Sequence, residues 1–357
     1  MRDQSHLVPQ AQHHLCEAPE LMEDICELHR LGAIPKFRGP SPGGFRVRGL
    51  PRNPSEQNFM IAKLWKYVEA GKMFVCTPEP IGKDEEYLCS PSTTVAKKLP
   101  DRTISADKRL ILDVRRVNLR FPKSDYWAMI TPSIDNLAIR FRRLRAGLPG
   151  IPILGAKRDI DAAFARCRLH PDSSVMFGAE FQLSSDPADV VIFFYLVPPF
   201  GFSGSSGIFG RLVQGVQFPH RSFSPSNTLW GDSTPLRADV FVDDGMFLEA
   251  KIGQRTELPT NVWGTGSDLV LGAGSISKKK LLPGGTWGKK LVLLGYMVDL
   301  EEDTISLPDP KILGAANLIR SPEFNPGRRT LSLHSVQEHP MVYQSLGENW
   351  TRLELAN

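Results

Sequence analysis

Val240-Phe241-Val242-Asp243-Asp244-Gly245-Met246-Phe247-Leu248 reads as a β-hairpin, two short apolar runs with Asp243-Asp244-Gly245 as the turn between them. Aspartate suits a turn on its own account, because its side chain bonds the local backbone. A carboxylate at a strand tip can also meet others from distant sequence. Asp159, in Asp159-Ile160-Asp161-Ala162-Ala163-Phe164, follows a second short strand that starts at Ile151 to Leu154. If the two tips converge, Asp159, Asp243 and Asp244 make an all-oxygen site for hard cations, suited to two Mg²⁺ ions about 3.5–4 Å apart. Such a site aligns a hydroxyl nucleophile, a phosphorus and a leaving oxygen. Asp161, two residues past Asp159, falls on the same side of an extended strand but receives no metal role.

Working outward, Val190 to Val197 is an unbroken β-branched and aromatic run, the pattern of a buried strand. Thr131-Pro132 marks a helix start, after which Ile134, Leu137, Ala138, Phe141 and Leu144 recur at helical spacing. Arg140, Arg142, Arg143 and Arg145 are expected away from that stripe. They belong to a section from Lys97 to Arg158 with 15 basic and five acidic residues, although the whole chain has a net charge of only +4. A concentrated basic section is the footprint of a protein that tracks a phosphate backbone, and equally of a solvated face.

The 357 residues suffice for two or three globular units, and 41% hydrophobic with 23% charged residues excludes a disordered or fibrous chain. Thirty glycines and 29 prolines predict long loops. Five cysteines without a C-x-x-C pair argue for a reducing compartment and against a disulfide framework. His13, Cys16, Cys26 and His29 fit no standard zinc spacing. No apolar stretch has the length of a signal or membrane helix, so an intracellular location, cytoplasmic or nuclear, and no membrane partner are expected. Residues 1–55 read as a loosely ordered lead-in with one helix near Glu20 to Leu31.

Five motifs in order resemble the reverse transcriptase domain of eukaryotic retrotransposons over about Ser90 to Ile319. Lys108-Arg109-Leu110-Ile111-Leu112-Asp113-Val114-Arg115-Arg116-Val117-Asn118 is similar to the family's fingers motif. Asp159 to Phe164, followed by Leu169-His170-Pro171, resembles its first catalytic motif. Pro199-Phe200-Gly201, running on through Ser205, Ser206 and Phe209, resembles its P-F-G element, with Ser206 where proline is usual. Phe241-Val242-Asp243-Asp244 matches the aromatic-x-D-D box, and Leu294-Gly295-Tyr296 with Ile305-Ser306-Leu307-Pro308 the primer-grip region.

The resemblance implies an α+β right-hand polymerase whose palm is an antiparallel sheet with helices. It places fingers and palm entry at 56–158, palm at 159–319, and an irregular tail with a truncated or absent thumb at 320–357. The implied activity is RNA-directed DNA polymerase, using an RNA template, a DNA primer and dNTPs with two Mg²⁺ or Mn²⁺ ions, within a larger retroelement. A catalytically inactive remnant that only binds template and primer is the alternative, and a cellular nucleotidyltransferase a third reading. The implied metal ligands are Asp159, Asp243, Asp244 and the main-chain carbonyl of Ile160. Arg109 corresponds to the arginine on the triphosphate, and Phe164 to the ring that excludes a ribose 2′-OH. Phe200 and Gly201 fall among the substrate-binding residues. One of Lys278, Lys279 and Lys280 protonates the leaving pyrophosphate, with spacing favouring Lys279 or Lys280. Asp113, Arg115 and Asn118 hold the fingers loop together.

Overall fold

A computed structural model describes residues 18–38, 45–46, 54–78, 87–98, 104–183, 186, 189–222, 235–281 and 286–319. In chain order the elements are α1 (Pro19–Arg30), β1 (Phe45–Arg46), α2 (Pro54–Glu69), β2 (Met73–Cys76), β3 (Leu88–Cys89), β4 (Ser92–Lys98), β5 (Ile104–Leu112), α3 (Arg115–Arg120), α4 (Ile134–Gly147), β6 (Ile153–Asp159), α5 (Pro171–Ser174), β7 (Gly178–Gln182), β8 (Val190–Tyr195), α6 (Ser205–Ser222), β9 (Ala238–Phe241), β10 (Asp244–Ala250), α7 (Leu258–Leu271), β11 (Lys290–Leu293), β12 (Tyr296–Asp299), β13 (Thr304–Ser306) and α8 (Asp309–Ile319). The class is α+β. No helix among the described residues is long and apolar enough to cross a membrane.

The antiparallel sheet β6-β10-β9 has the helices α6 and α7 on one face, and α4 with the sheet β11-β12-β13 on the other. Side chains alternate across it, as the pleat requires. Phe247 and Ala156 face α6 and α7, in the same core as Phe209, Val216 and Trp263. Met246 and Leu248 face the other way and pack with Leu137 of α4 and with Leu293 and Val298 of the sheet β11-β12-β13. Gly155 is a glycine because this second sheet presses on it: an added Cβ would lie 2.8 Å from Leu291. A reciprocal pair of backbone bonds between Gly155 and Gly288 joins the two sheets there.

Helix α4 starts at Ile134, with Ser133 as N-cap in a capping box with Asn136. Its apolar stripe packs as its spacing predicts, but Arg140 does not point to solvent. Its guanidinium is buried, donating to Asp239 Oδ2 at 2.7 Å and to the carbonyls of Arg237 and Leu248 at 2.9 Å. Glu249 lies beside it and pairs with Arg255 at 2.9 Å. Arg145 likewise bonds the carbonyl of Leu300 and the carboxylate of Asp303. Two of the four arginines expected on an open basic face therefore tie elements together.

Helix α1 falls where the sequence puts it and belongs to the core rather than to a loose lead-in. Ile25 and Leu28 are buried, Ile25 fills the space over Gly215 of α6, and Arg211 Nε donates to Asp24 at 2.6 Å. A five-stranded sheet, β1-β3-β7-β8-β2, takes strands from both sides of the expected boundary at 158/159, which thus coincides with no sheet boundary. Strand β8 is buried at five of its six residues. Strands β4 and β5 form a separate two-stranded hairpin. The tail at 320–357 lies outside the described residues, as do His13 and Cys16. Cys26, Cys76, Cys89 and Cys167 are free thiols.

Candidate metal centre

Asp159 ends β6 and Asp244 begins β10, and the register sets them directly opposite each other. The hairpin turn is Val242-Asp243 alone, because Asp244 pairs with Phe241 and Gly245 with Val240. Asp244 and Gly245 are thus strand residues, not turn residues as the sequence suggests. Val242 adopts a left-handed backbone with φ +55°, an uncommon strain for a β-branched residue and one concentrated at functional sites. The turn is fixed from the neighbouring strand by Ile160 N–H donating to the Asp243 carbonyl at 2.8 Å.

On the other edge, Ser277 N–H donates to the Asp159 carbonyl and Asp161 N–H to the Ser275 carbonyl, both at 2.8 Å. This short bridge brings the segment 278–280 to the carboxylates. Carboxylate oxygens of Asp159, Asp243 and Asp244 lie within 4.8 Å of one another. Two ammonium groups rest on them: Lys280 Nζ is 2.5 Å from Asp159 Oδ1 and Lys157 Nζ is 2.6 Å from Asp244 Oδ2.

Burial pushes the Asp159 carboxyl above its ordinary range, with the Lys280 hydrogen bond pulling the other way. Asp243 is raised for the same first reason. For Lys280, burial works against the charged form, but the hydrogen bond and charge of Asp159 outweigh it and raise the value. Three convergent carboxylates, partly desolvated, are the donor set a hard divalent cation takes. The residues present fit such an ion.

Phe164 lies in a short 3₁₀ turn, Ala163–Arg166, after the left-handed Ala162. Its ring is 5.2 Å from the exposed ring of Phe200 and 5.9 Å from buried Phe209. Gly201 needs its φ of +93°, with Val114 and the Leu112 carbonyl behind it. Asn118 clasps this loop, donating to the Gly201 carbonyl at 2.8 Å and accepting from Ser203 N–H at 2.9 Å. Asp113 meanwhile pairs with Arg115. Arg109 sits on the β4–β5 hairpin, exposed, and is not among the side chains gathered at the carboxylates.

Asp161 does not continue an extended strand. The chain turns after Ile160, leaving Asp161 exposed in the field of Lys72 and Arg166. Ser206 lies in the first turn of α6 rather than in a loop, where the missing proline matters little. Of the three candidate lysines, Lys280 touches Asp159, Lys278 is exposed, and the Lys279 side chain lies outside those described. Lys157, which the sequence shows only as one residue of the basic section, is the second cation at the carboxylates. The signal was present, since residues two apart on a strand share a face. No known family model and no curated protein matches the chain.

Proposed function

We propose that the chain is an RNA-directed DNA polymerase with palm and fingers, as its resemblance to retrotransposon reverse transcriptases implies. The observation that carries this is the convergence of Asp159 with Asp243 and Asp244, from two distant segments, beside a lysine in direct contact. In the proposed reaction the primer 3′-oxygen bonds to the α-phosphorus of a dNTP, the bond to the β-phosphate oxygen breaks, and pyrophosphate leaves. Two Mg²⁺ or Mn²⁺ ions, held by the three aspartates and the Ile160 carbonyl, would supply charge neutralisation at the attacking and leaving oxygens. Ile160 donates its N–H toward Asp243.

The chain's own groups do the remaining work. Lys280 holds a proton next to Asp159 and delivers it to the leaving pyrophosphate. Phe164, braced by Phe209 and Phe200, presents a ring where a ribose 2′-OH would clash. Arg109 offers a planar fork of donors to the triphosphate from the hairpin. Asn118 fixes the loop that carries Phe200 and Gly201. The basic groups left exposed, such as Arg142 and Arg143, serve the RNA template and DNA primer.

Mg²⁺-dependent extension of a DNA primer on an RNA template tests the reading. The wild type should extend it, and Asp243→Asn should lose about a hundredfold or more, equivalent to about 2.7 kcal/mol of barrier. Full activity in Asp243→Asn would overturn the proposal. Salt-sensitive RNA binding without incorporation would instead favour the inactive remnant.

A further inference from the structure

Lys280 has a place in the proposed reaction, whereas Lys157, the second ammonium on the carboxylate cluster, has none. We propose that Lys157 is a resident counter-ion that competes with divalent cations for Asp244 and so sets how weakly the free protein holds them. The inference rests on reading Asp159, Asp243 and Asp244 as a cation site.

Strand geometry places the group. Lys157 precedes Asp159 by two residues on β6, so both side chains leave the same face, and Lys157 stands opposite Met246, diagonal to Asp244. Its Nζ lies 2.6 Å from Asp244 Oδ2, with Lys157 32% and Asp244 27% exposed. An ammonium at that distance occupies the lone pairs a divalent ion would use. It also repels any cation arriving within a few ångströms, and partial burial keeps that repulsion from being fully screened.

Charge counting sharpens the consequence. Three carboxylates face two ammonium groups, so the cluster is nearly neutral before any cation arrives. A lone divalent ion must displace an ammonium to bind tightly. One that arrives with an anionic polyphosphate brings its own compensation. Lys157 is suited to yielding, because its point charge rides on a flexible four-carbon stem at the rim of the site.

The experiment titrates the full chain with Mn²⁺, without nucleotide, and reads free Mn²⁺ by electron paramagnetic resonance. Lys157→Met keeps an apolar stem of similar length, so strand packing survives, and a far-UV spectrum verifies the fold. It should bind Mn²⁺ about tenfold more tightly or better, the scale of removing one like charge a few ångströms away in water-like dielectric. Lys157→Arg should stay near wild type, and the gain from Lys157→Met should vanish in an Asp244→Asn background. Unchanged or weaker binding by Lys157→Met overturns the inference, leaving the lysine a merely structural partner. Asp243→Asn distinguishes the underlying reading: if Mn²⁺ binding is indifferent to it, or absent in every variant, the cation site itself falls and this inference with it.

Discussion

Gly245 lacks a side chain because Trp263 occupies the space, its ring atoms lying 3.0–3.1 Å from where a Cβ would be. The ring is fully buried and wedged against Phe247 and His220, so it has nowhere to move. Gly245→Ala should cost about 1–3 kcal/mol, the usual penalty of overpacking, read as a lower urea midpoint. The sequence presents this glycine as turn chemistry, since Asp-Asp-Gly is what a hairpin turn prefers. Its true neighbour is 18 positions away on another element, and nothing in the local pattern discloses that contact. The three carboxylates were legible for the opposite reason. Their chemistry is carried by residue type and by position at a strand end, both of which a sequence displays. Lys157 needed one more inference, that period-two geometry turns it toward Asp159.

The helix α4 shows how much an element reveals and where it stops. Its apolar stripe was readable and packs as expected, with Leu137 buried and Ile134, Phe141 and Leu144 half-buried against β10 and the β11-β12-β13 sheet. Arg140 reads as a residue of the polar side, although it stands three residues after Leu137 and four before Leu144, on the buried side of the helix. A charge there is tolerated because Asp239, Glu249 and two carbonyls meet it. Among the described residues, Arg140→Met would leave buried Asp239 with only the half-exposed Arg237 as cation. Breaking a buried pair from one side costs about 3–5 kcal/mol. Chemical denaturation should show a loss on that scale, and Arg142→Met, with its side chain exposed, should show almost none.

At the scale of the whole molecule, α6 and α7 close over a histidine that connects stability to pH. His220 is fully buried, and its Nε2–H donates to the Pro259 carbonyl at 3.1 Å. Burial first, with Arg140 and Arg221 adding to it, drives its pKa down to about 4. The folded ring therefore stays neutral where the unfolded ring, near 6.5, takes up a proton. Its contribution is fully present above about pH 6.5 and is lost as pH falls toward 4, by at most about 3 kcal/mol. The raised carboxyls of Asp159 and Asp243 act with the opposite sign. Urea midpoints at pH 7.5 and 5 should hence converge in His220→Gln relative to wild type, and an undiminished pH dependence would refute the assignment. The α+β class was legible because strand and helix periods are local. The sharing of β1, β2 and β3 with β7 and β8 in one sheet was not, since sheet order is set by long-range pairing of very short strands.

The hairpin at Val242-Asp243 has a consequence for what kinds of change the chain can absorb. The two-residue turn sets Asp244 against Phe241 at the start of β10, and the β6–β10 register sets it against Asp159. One residue inserted into or deleted from the paired stretch of β6 or β10 would invert the alternation between the change and the strand tip and turn a carboxylate to the opposite face of the sheet. Two residues would restore the face but shift it by about 6.6 Å along the strand, beyond the reach of a shared ligand set. The centre is therefore as vulnerable to changes of strand length, which move the carboxylates together, as to replacement of the carboxylates themselves.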